Sequence, residues 1–374
     1  MNTVQQLHIA GQSVWYDNIQ RGLLVNGELA GMIARGEIRG VTSNPTIFMN
    51  AIVKSHDYDA GLIPLAKAGK GAEEIFWQLA VEDIQAAADL FRPLYDETAG
   101  GDGYVSLEVN PYLAHDAEGT FEAAKWIWQR VNRPNLMVKI PATKAGLPAI
   151  TAAIAEGINV NVTLIFSVER YAAVMEAYLQ GLENRVAAGQ SISSIASVAS
   201  FFVSRVDTKV DGLLMGIVDS DSSQADKATS LLGQAAIANA KLAYADYQKV
   251  FGSARFQALK AQGARVQRPL WASTGTKNKN YSDVMYVDQL IGPDTVNTVP
   301  PATLEAFLDH GHVRAGSLEE NVAASAQAMA DLEALGISMS AVTGELEQEG
   351  VKSFADAFTA LLNAVEASRR KAVA

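Results

Sequence analysis

Lys139 sits inside a short apolar run, within NLMVKIPATKAG from Asn135 to Gly146, where residue type and setting first suggest chemistry. Strong β-formers closed by Pro141 predict a buried strand over Leu136–Ile140. At a side-chain period of two, Leu136, Val138 and Ile140 share one face, and Met137 and Lys139 share the other. A charged amine in a buried strand is costly without a partner. Burial also lowers a lysine's pKa, which readies the amine to attack a carbonyl and form a Schiff base. By itself a strand lysine is more often an edge residue or an ion-pair partner, so its neighbours decide.

An amine nucleophile needs acid/base groups to move protons as the carbinolamine forms and dehydrates. Glu108, in the alternating segment YVSLEVNP (104–111), is the candidate, acting directly or through a water that Thr163 could hold. Asp17 ends an apolar segment, VWYD, and would be a second acid/base acting on a substrate hydroxyl. Asn44 and Asn161 have no useful pKa and would orient hydroxyls by hydrogen bonds. Ser200, Arg205 and Lys277 offer the donors and cations a phosphate needs, arginine through its bidentate fork and lysine as a point charge. Read singly, these residues also fit a turn or cap (Asp17, Asn44), an ordinary strand threonine (Thr163) and solvated charge (Arg205, Lys277).

The elements that must position them alternate. Strand candidates lie at 14–17, 40–48, 104–111, 136–140, 158–167, 195–205, 269–274 and 294–300, most of them separated by helical patterns. In 158–167, Val160, Val162, Leu164 and Phe166 are expected on one face and Asn161, Thr163 and Ile165 on the other. Helices are expected over 22–38, 56–95, 119–131, 146–156, 168–188 and 223–250, and from 302 onward. Such alternation predicts parallel βαβ units. Eight of them predict a closed (β/α)8 barrel, with a doubly wound open sheet as the alternative. In a barrel, Asp17, Thr42, Asn44, Glu108, Lys139, Asn161 and Thr163 fall on one concave face. With no low-complexity linker in the chain, residues 1–374 are expected to form a single barrel domain with a helical extension from about 302.

Composition bounds the rest. The 374 residues are 49% hydrophobic, enough for a large core, and carry a net charge of −11 with a pI near 5.0. No basic block suggests nucleic-acid binding. There is no cysteine, which excludes disulfides and thiolate metal sites. His8, His56, His115, His310 and His312 show no metal-ligand spacing, and phosphate-cradling glycine motifs are missing. The expectation is a cofactor-free, metal-free lysine mechanism in a cytoplasmic protein with no membrane span.

GVTSNPTIF (40–48) and NLMVKIPATKAG (135–146) resemble the two signatures of the transaldolase family, the second carrying its Schiff-base lysine. SLEVNP, INVNVTLIFS and SFFVSR resemble further transaldolase segments in the family's order, from about residue 14 to 300. Length and an extended C-terminal half match the longer actinobacterial and cyanobacterial branch. The resemblance implies a class I aldolase-type (β/α)8 barrel of the pentose phosphate pathway, acting on sugar phosphates as a monomer or homodimer. It would move a dihydroxyacetone unit from sedoheptulose 7-phosphate or fructose 6-phosphate to an aldose phosphate. Lys139 would form the Schiff base, Glu108 and Thr163 manage the water, and Asp17 assist carbon–carbon cleavage. Asn44 and Asn161 would hold the dihydroxyacetone part, and Ser200 and Arg205 the phosphate. Lys277 stands where many relatives have an arginine. The alternatives are a fructose 6-phosphate aldolase-like lyase and a non-catalytic phosphosugar-binding barrel. Against the lyase, Glu108 and Phe202 stand where that subfamily carries glutamine and tyrosine.

Overall fold

The computed structural model describes residues 1–220 and 223–373. Eight parallel strands run β1 (Gln12–Tyr16), β2 (Gly40–Val41), β3 (Tyr104–Glu108), β4 (Leu136–Pro141), β5 (Val160–Ile165), β6 (Ser197–Phe202), β7 (Gln267–Ala272) and β8 (Thr295–Val299). They pair in sequence order, and β8 returns to β1 to close the barrel. Closure buries both faces of every strand, which explains the near-continuous apolar runs. Leu136, Val138 and Ile140 of β4, with Val160 and Val162 of β5, are fully buried. Met137 and Lys139 occupy the opposite, inward face: Met137 lines a cavity at the lower mouth and Lys139 one at the upper mouth.

The lower half of the barrel packs around the buried Trp15 and is pinned. Gly40 allows this, because a Cβ there would lie 2.7 Å from the indole ring of Trp15. Below, buried Asp102 accepts hydrogen bonds from Ser13 (2.6 Å), Trp15 Nε1 (3.1 Å) and Arg39 Nε (2.7 Å), and pairs with Arg268 at 3.3 Å. Burial pushes its carboxyl pKa up, but Arg268, Arg39 and the Ser13 bond outweigh that and hold it below the usual carboxylate range.

Several elements depart from the sequence expectation. The stretch after β2 is a helix, Pro45–Lys54, in which Asn44 caps Ile47 N (3.0 Å) and proline takes the first helical position. The helix expected over 22–38 is two, Arg21–Val25 and Glu28–Ala34, separated by Gly27 at φ 83°. An unanticipated helix, Ser204–Ser220, follows β6. The one expected over 223–250 is split into Ala225–Leu231 and Ala235–Phe251 by Gly233 at φ 69°. In β5 the predicted alternation stops at Thr163. Val162 pairs with Ala199 but Ile165 with Phe201, so the strand bulges, and Leu164 sits at φ 59°.

The expected C-terminal helical region forms three helices, Pro301–His310, Val322–Ala334 and Met339–Val373. The last buries Val342, Leu346, Gly350, Phe354, Phe358, Leu361 and Val365, a stripe at helical spacing. That stripe lies across the upper mouth, with Gly350 against the bulge: a Cβ there would lie 2.9 Å from Leu164 Cδ2. Among the described residues no helix is long and apolar enough to cross a membrane.

Candidate active site

Strand register lines up the central residues. Glu108 on β3 pairs with Lys139 on β4, and Lys139 with Asn161 on β5, so their side chains form one row across the barrel interior. Thr163, opposite Pro141, stands one step higher. Lys139 Nζ lies 3.3 Å from Glu108 Oε2 and donates a 2.9 Å hydrogen bond to the carbonyl of Ser43. Asn161 donates to Ser106 Oγ (3.0 Å) and accepts from Ser200 Oγ (2.7 Å), which fixes its amide. Thr163 Oγ1 and Glu108 Oε2 are buried atoms with no hydrogen-bond partner. They keep acceptor capacity directed at the amine's surroundings.

Asp17 closes the row from the other side. It follows β1, its backbone N–H bonds Val299 O (2.9 Å), and its Oδ1 accepts from Thr42 Oγ1 (2.7 Å). Thr42 in turn is 2.6 Å from Thr298 Oγ1. Both carboxyl groups are pushed above the ordinary range. For Glu108 the main cause is burial, opposed by Lys139 and reinforced by Asp17. For Asp17 it is also burial, opposed by the Thr42 bond, Lys139 and Lys277. Two carboxyls with raised pKa flanking one amine are placed to give and take protons.

The space these residues face is a cavity of about 140 Å³ at the upper mouth, lined by Asp17, Asn44, Lys139, Thr163, Ser200, Arg205 and Lys277 among others. Among the described residues neither Arg205 nor Lys277 forms an ion pair, although the chain is strongly acidic. Arg205, in the first turn of Ser204–Ser220, lies 5.5 Å from the centroid of Phe202. Two cations without an ion pair are what an anionic group would meet in this cavity. A larger cavity, about 360 Å³, opens at the lower mouth beside Arg39, Asp102 and Arg268. It holds no lysine, and its arginines are engaged with Asp102 and backbone carbonyls. We therefore assign the site to the upper mouth, where the C-terminal ends of barrel strands carry chemistry. No group of three or more His, Asp or Glu side chains among the described residues is placed to hold a metal ion.

Of the residues singled out in the sequence, Asp17, Asn44, Lys139, Thr163, Ser200, Arg205 and Lys277 meet at this cavity. Two do not line it. Asn161 lies beneath, at 0% exposure. Glu108 borders an adjoining apolar crevice with Phe48, Phe76 and Phe358, and it reaches the cavity through its contact with Lys139. Sequence reasoning missed Ser273, Thr298 and Phe354, which also line the cavity. Ser273, at φ 55°, is held by Ser204 Oγ at 3.0 Å. Thr298 shares the parity of Val296 on β8 and pairs with Trp15 of β1, so a polar residue at an inward position of a strand candidate was a signal that was available. Phe354 comes from the far end of the chain, and Lys139 Nζ lies 5.9 Å from its ring centroid.

The model of the transaldolase/fructose-6-phosphate aldolase family matches residues 14–365. The chain is 51% identical to a transaldolase of Thermobifida fusca over 362 residues, 97% of each chain. It is 50% identical to one of Mycobacterium ulcerans over 362 residues, covering 96% of this chain and 95% of that one. A transaldolase of Trichodesmium erythraeum is 47% identical over 374 residues, 99% and 98% of the two chains.

Proposed function

The chain belongs to the transaldolase/fructose-6-phosphate aldolase family and carries transaldolase activity, and on that premise we propose how its residues divide the work. Lys139 attacks the ketone carbon of sedoheptulose 7-phosphate or fructose 6-phosphate. Glu108 supplies and removes the protons of carbinolamine formation and dehydration, and the Thr163 hydroxyl holds the water released. Asp17 takes the proton of the hydroxyl on the far carbon of the bond to be cut, which becomes the aldehyde carbon of the leaving aldose phosphate. That bond then breaks, an aldose phosphate leaves, and a three-carbon carbanion remains on the lysine. Addition to glyceraldehyde 3-phosphate or erythrose 4-phosphate runs the sequence backward. Asn44 Nδ2 and the second N–H of Asn161 orient the dihydroxyacetone hydroxyls, while Arg205, Lys277 and Ser200 take the phosphate.

The observation that carries this reading is the contact of Lys139 Nζ with Glu108 Oε2, 3.3 Å apart inside a closed barrel. It is supported by two cations without an ion pair, Arg205 and Lys277, which line the same cavity as Lys139. The proposal extends to one domain spanning the chain, working without a cofactor in the cytoplasm, where charged sugar phosphates are confined, as a monomer or homodimer. The test is turnover of fructose 6-phosphate with and without erythrose 4-phosphate. Turnover that depends on the acceptor is expected; equal release of free dihydroxyacetone without acceptor would make the protein a lyase instead.

A further inference from the structure

The C-terminal helix Met339–Val373 is latched at both sides of the upper mouth. On the β5–β6 side, Lys209 pairs with Glu345 and Glu349, each at 2.6 Å, and Arg170 pairs with Glu347 at 3.2 Å. On the β2–β3 side, Tyr112 OH meets Thr359 Oγ1 at 2.6 Å, and Phe358 packs on Phe76 with ring centroids 5.5 Å apart. Between the latches, Gly350 lets the helix settle onto the β5 bulge at Leu164. Phe354, one turn farther on, is 5% exposed and presents its ring to Lys139 Nζ at 5.9 Å. A buried ring with no polar atom forms one wall beside an amine that must carry a water-sensitive intermediate.

We propose that Phe354, carried across the mouth by this helix, is a specificity-determining residue that keeps bulk water from the Lys139 intermediate and so holds it for transfer. The inference rests on the Schiff-base reading above. After cleavage the three-carbon carbanion has two fates. An acceptor aldehyde can add to it, forming a new carbon–carbon bond. Alternatively a proton adds at that carbon and water adds to the iminium carbon. The carbon–nitrogen bond then breaks, and free dihydroxyacetone leaves as the amine is restored. Each route uses one water, the equivalent of the one released at dehydration, but at a different moment. In transfer, water attacks only after the acceptor has added. In release, it attacks the three-carbon iminium before an acceptor arrives, and an aromatic wall that slows the entry of water during that interval suppresses this second route.

The experiment measures acceptor-free release of dihydroxyacetone from fructose 6-phosphate relative to transfer onto erythrose 4-phosphate. Phe354→Ala is expected to raise that ratio by about tenfold or more, while Phe354→Leu, which keeps an apolar wall, stays within about threefold of the parent. Phe354→Tyr keeps the ring but adds a hydroxyl that can hold water, and should raise the ratio severalfold even if the alanine variant fails to fold. Borohydride trapping at Lys139 is followed in every variant. A folded Phe354→Ala or Phe354→Tyr variant that still traps substrate at Lys139 with an unchanged ratio would overturn the assignment. Absence of the trapped adduct in the parent would instead remove the Schiff-base reading, and this proposal with it.

Discussion

At Lys139 the costs and gains of burial can be weighed atom by atom. The amine is 5% exposed, and its compensation is one carboxylate at 3.3 Å and one backbone carbonyl at 2.9 Å. Glu108 pays for this arrangement with a raised pKa, so the pair is poised for proton transfer more than for stability. The sign of the pH dependence follows. Glu108 and Asp17 keep their protons to higher pH than ordinary carboxyls, and each must be ionised to act as a base. The acid limb of kcat/KM is therefore expected to have an apparent pKa above the ordinary value of about 4.3, a property of the coupled groups together. Glu108→Gln should slow single-turnover formation of the adduct by about a hundredfold, within the usual range for a lost acid/base, with little change in substrate affinity. An acid limb at or below the ordinary value, or an unchanged single-turnover rate, would contradict this role. Most of these residues were legible because lysine and carboxylate are conspicuous in an apolar strand. Phe354 was not, since one phenylalanine in an amphipathic helix carries no chemical signal.

Among the elements, strands were read better than the helices between them. Buried parallel strands leave apolar runs bounded by proline and glycine, and β4 came out at Leu136–Pro141, one residue longer than expected. The helix Pro45–Lys54 went unread because the proline bias that ends a strand also marks a helix start, and Asn44 serves both. The β5 bulge was invisible because alternation implies a regular ladder, whereas Leu164 is turned toward a helix that begins at Met339. The lower mouth is held by Asp102, which ties β1, β7 and the residue preceding β2. Its carboxyl is held below the ordinary range, so its contribution is present above the unfolded value of about 3.9 and lost as pH falls through the folded one. Asp102→Asn is expected to cost about 3 kcal/mol at pH 7, the scale of a broken buried pair, with the difference from the parent shrinking in acid. Urea unfolding at neutral and acidic pH measures it; equal stability at pH 7 would contradict the pinning role.

Across the whole molecule, a ring of eight strands places residues from position 17 to position 354 around one amine. Periodicity could reveal the ring but not which distant helix covers it, because closure across the mouth depends on packing between segments far apart in sequence. The family shared with transaldolases agrees with the covalent mechanism proposed above, and the barrel brings together the groups that mechanism would use: a buried amine, two carboxyls with raised pKa and two cations without an ion pair. The most direct test is mass spectrometry of the protein after borohydride reduction in the presence of fructose 6-phosphate. The account predicts one dihydroxyacetone adduct, on the peptide containing Lys139, and its loss together with activity in Lys139→Ala. An adduct on Lys277 or another lysine, or an active Lys139→Ala variant, would contradict it.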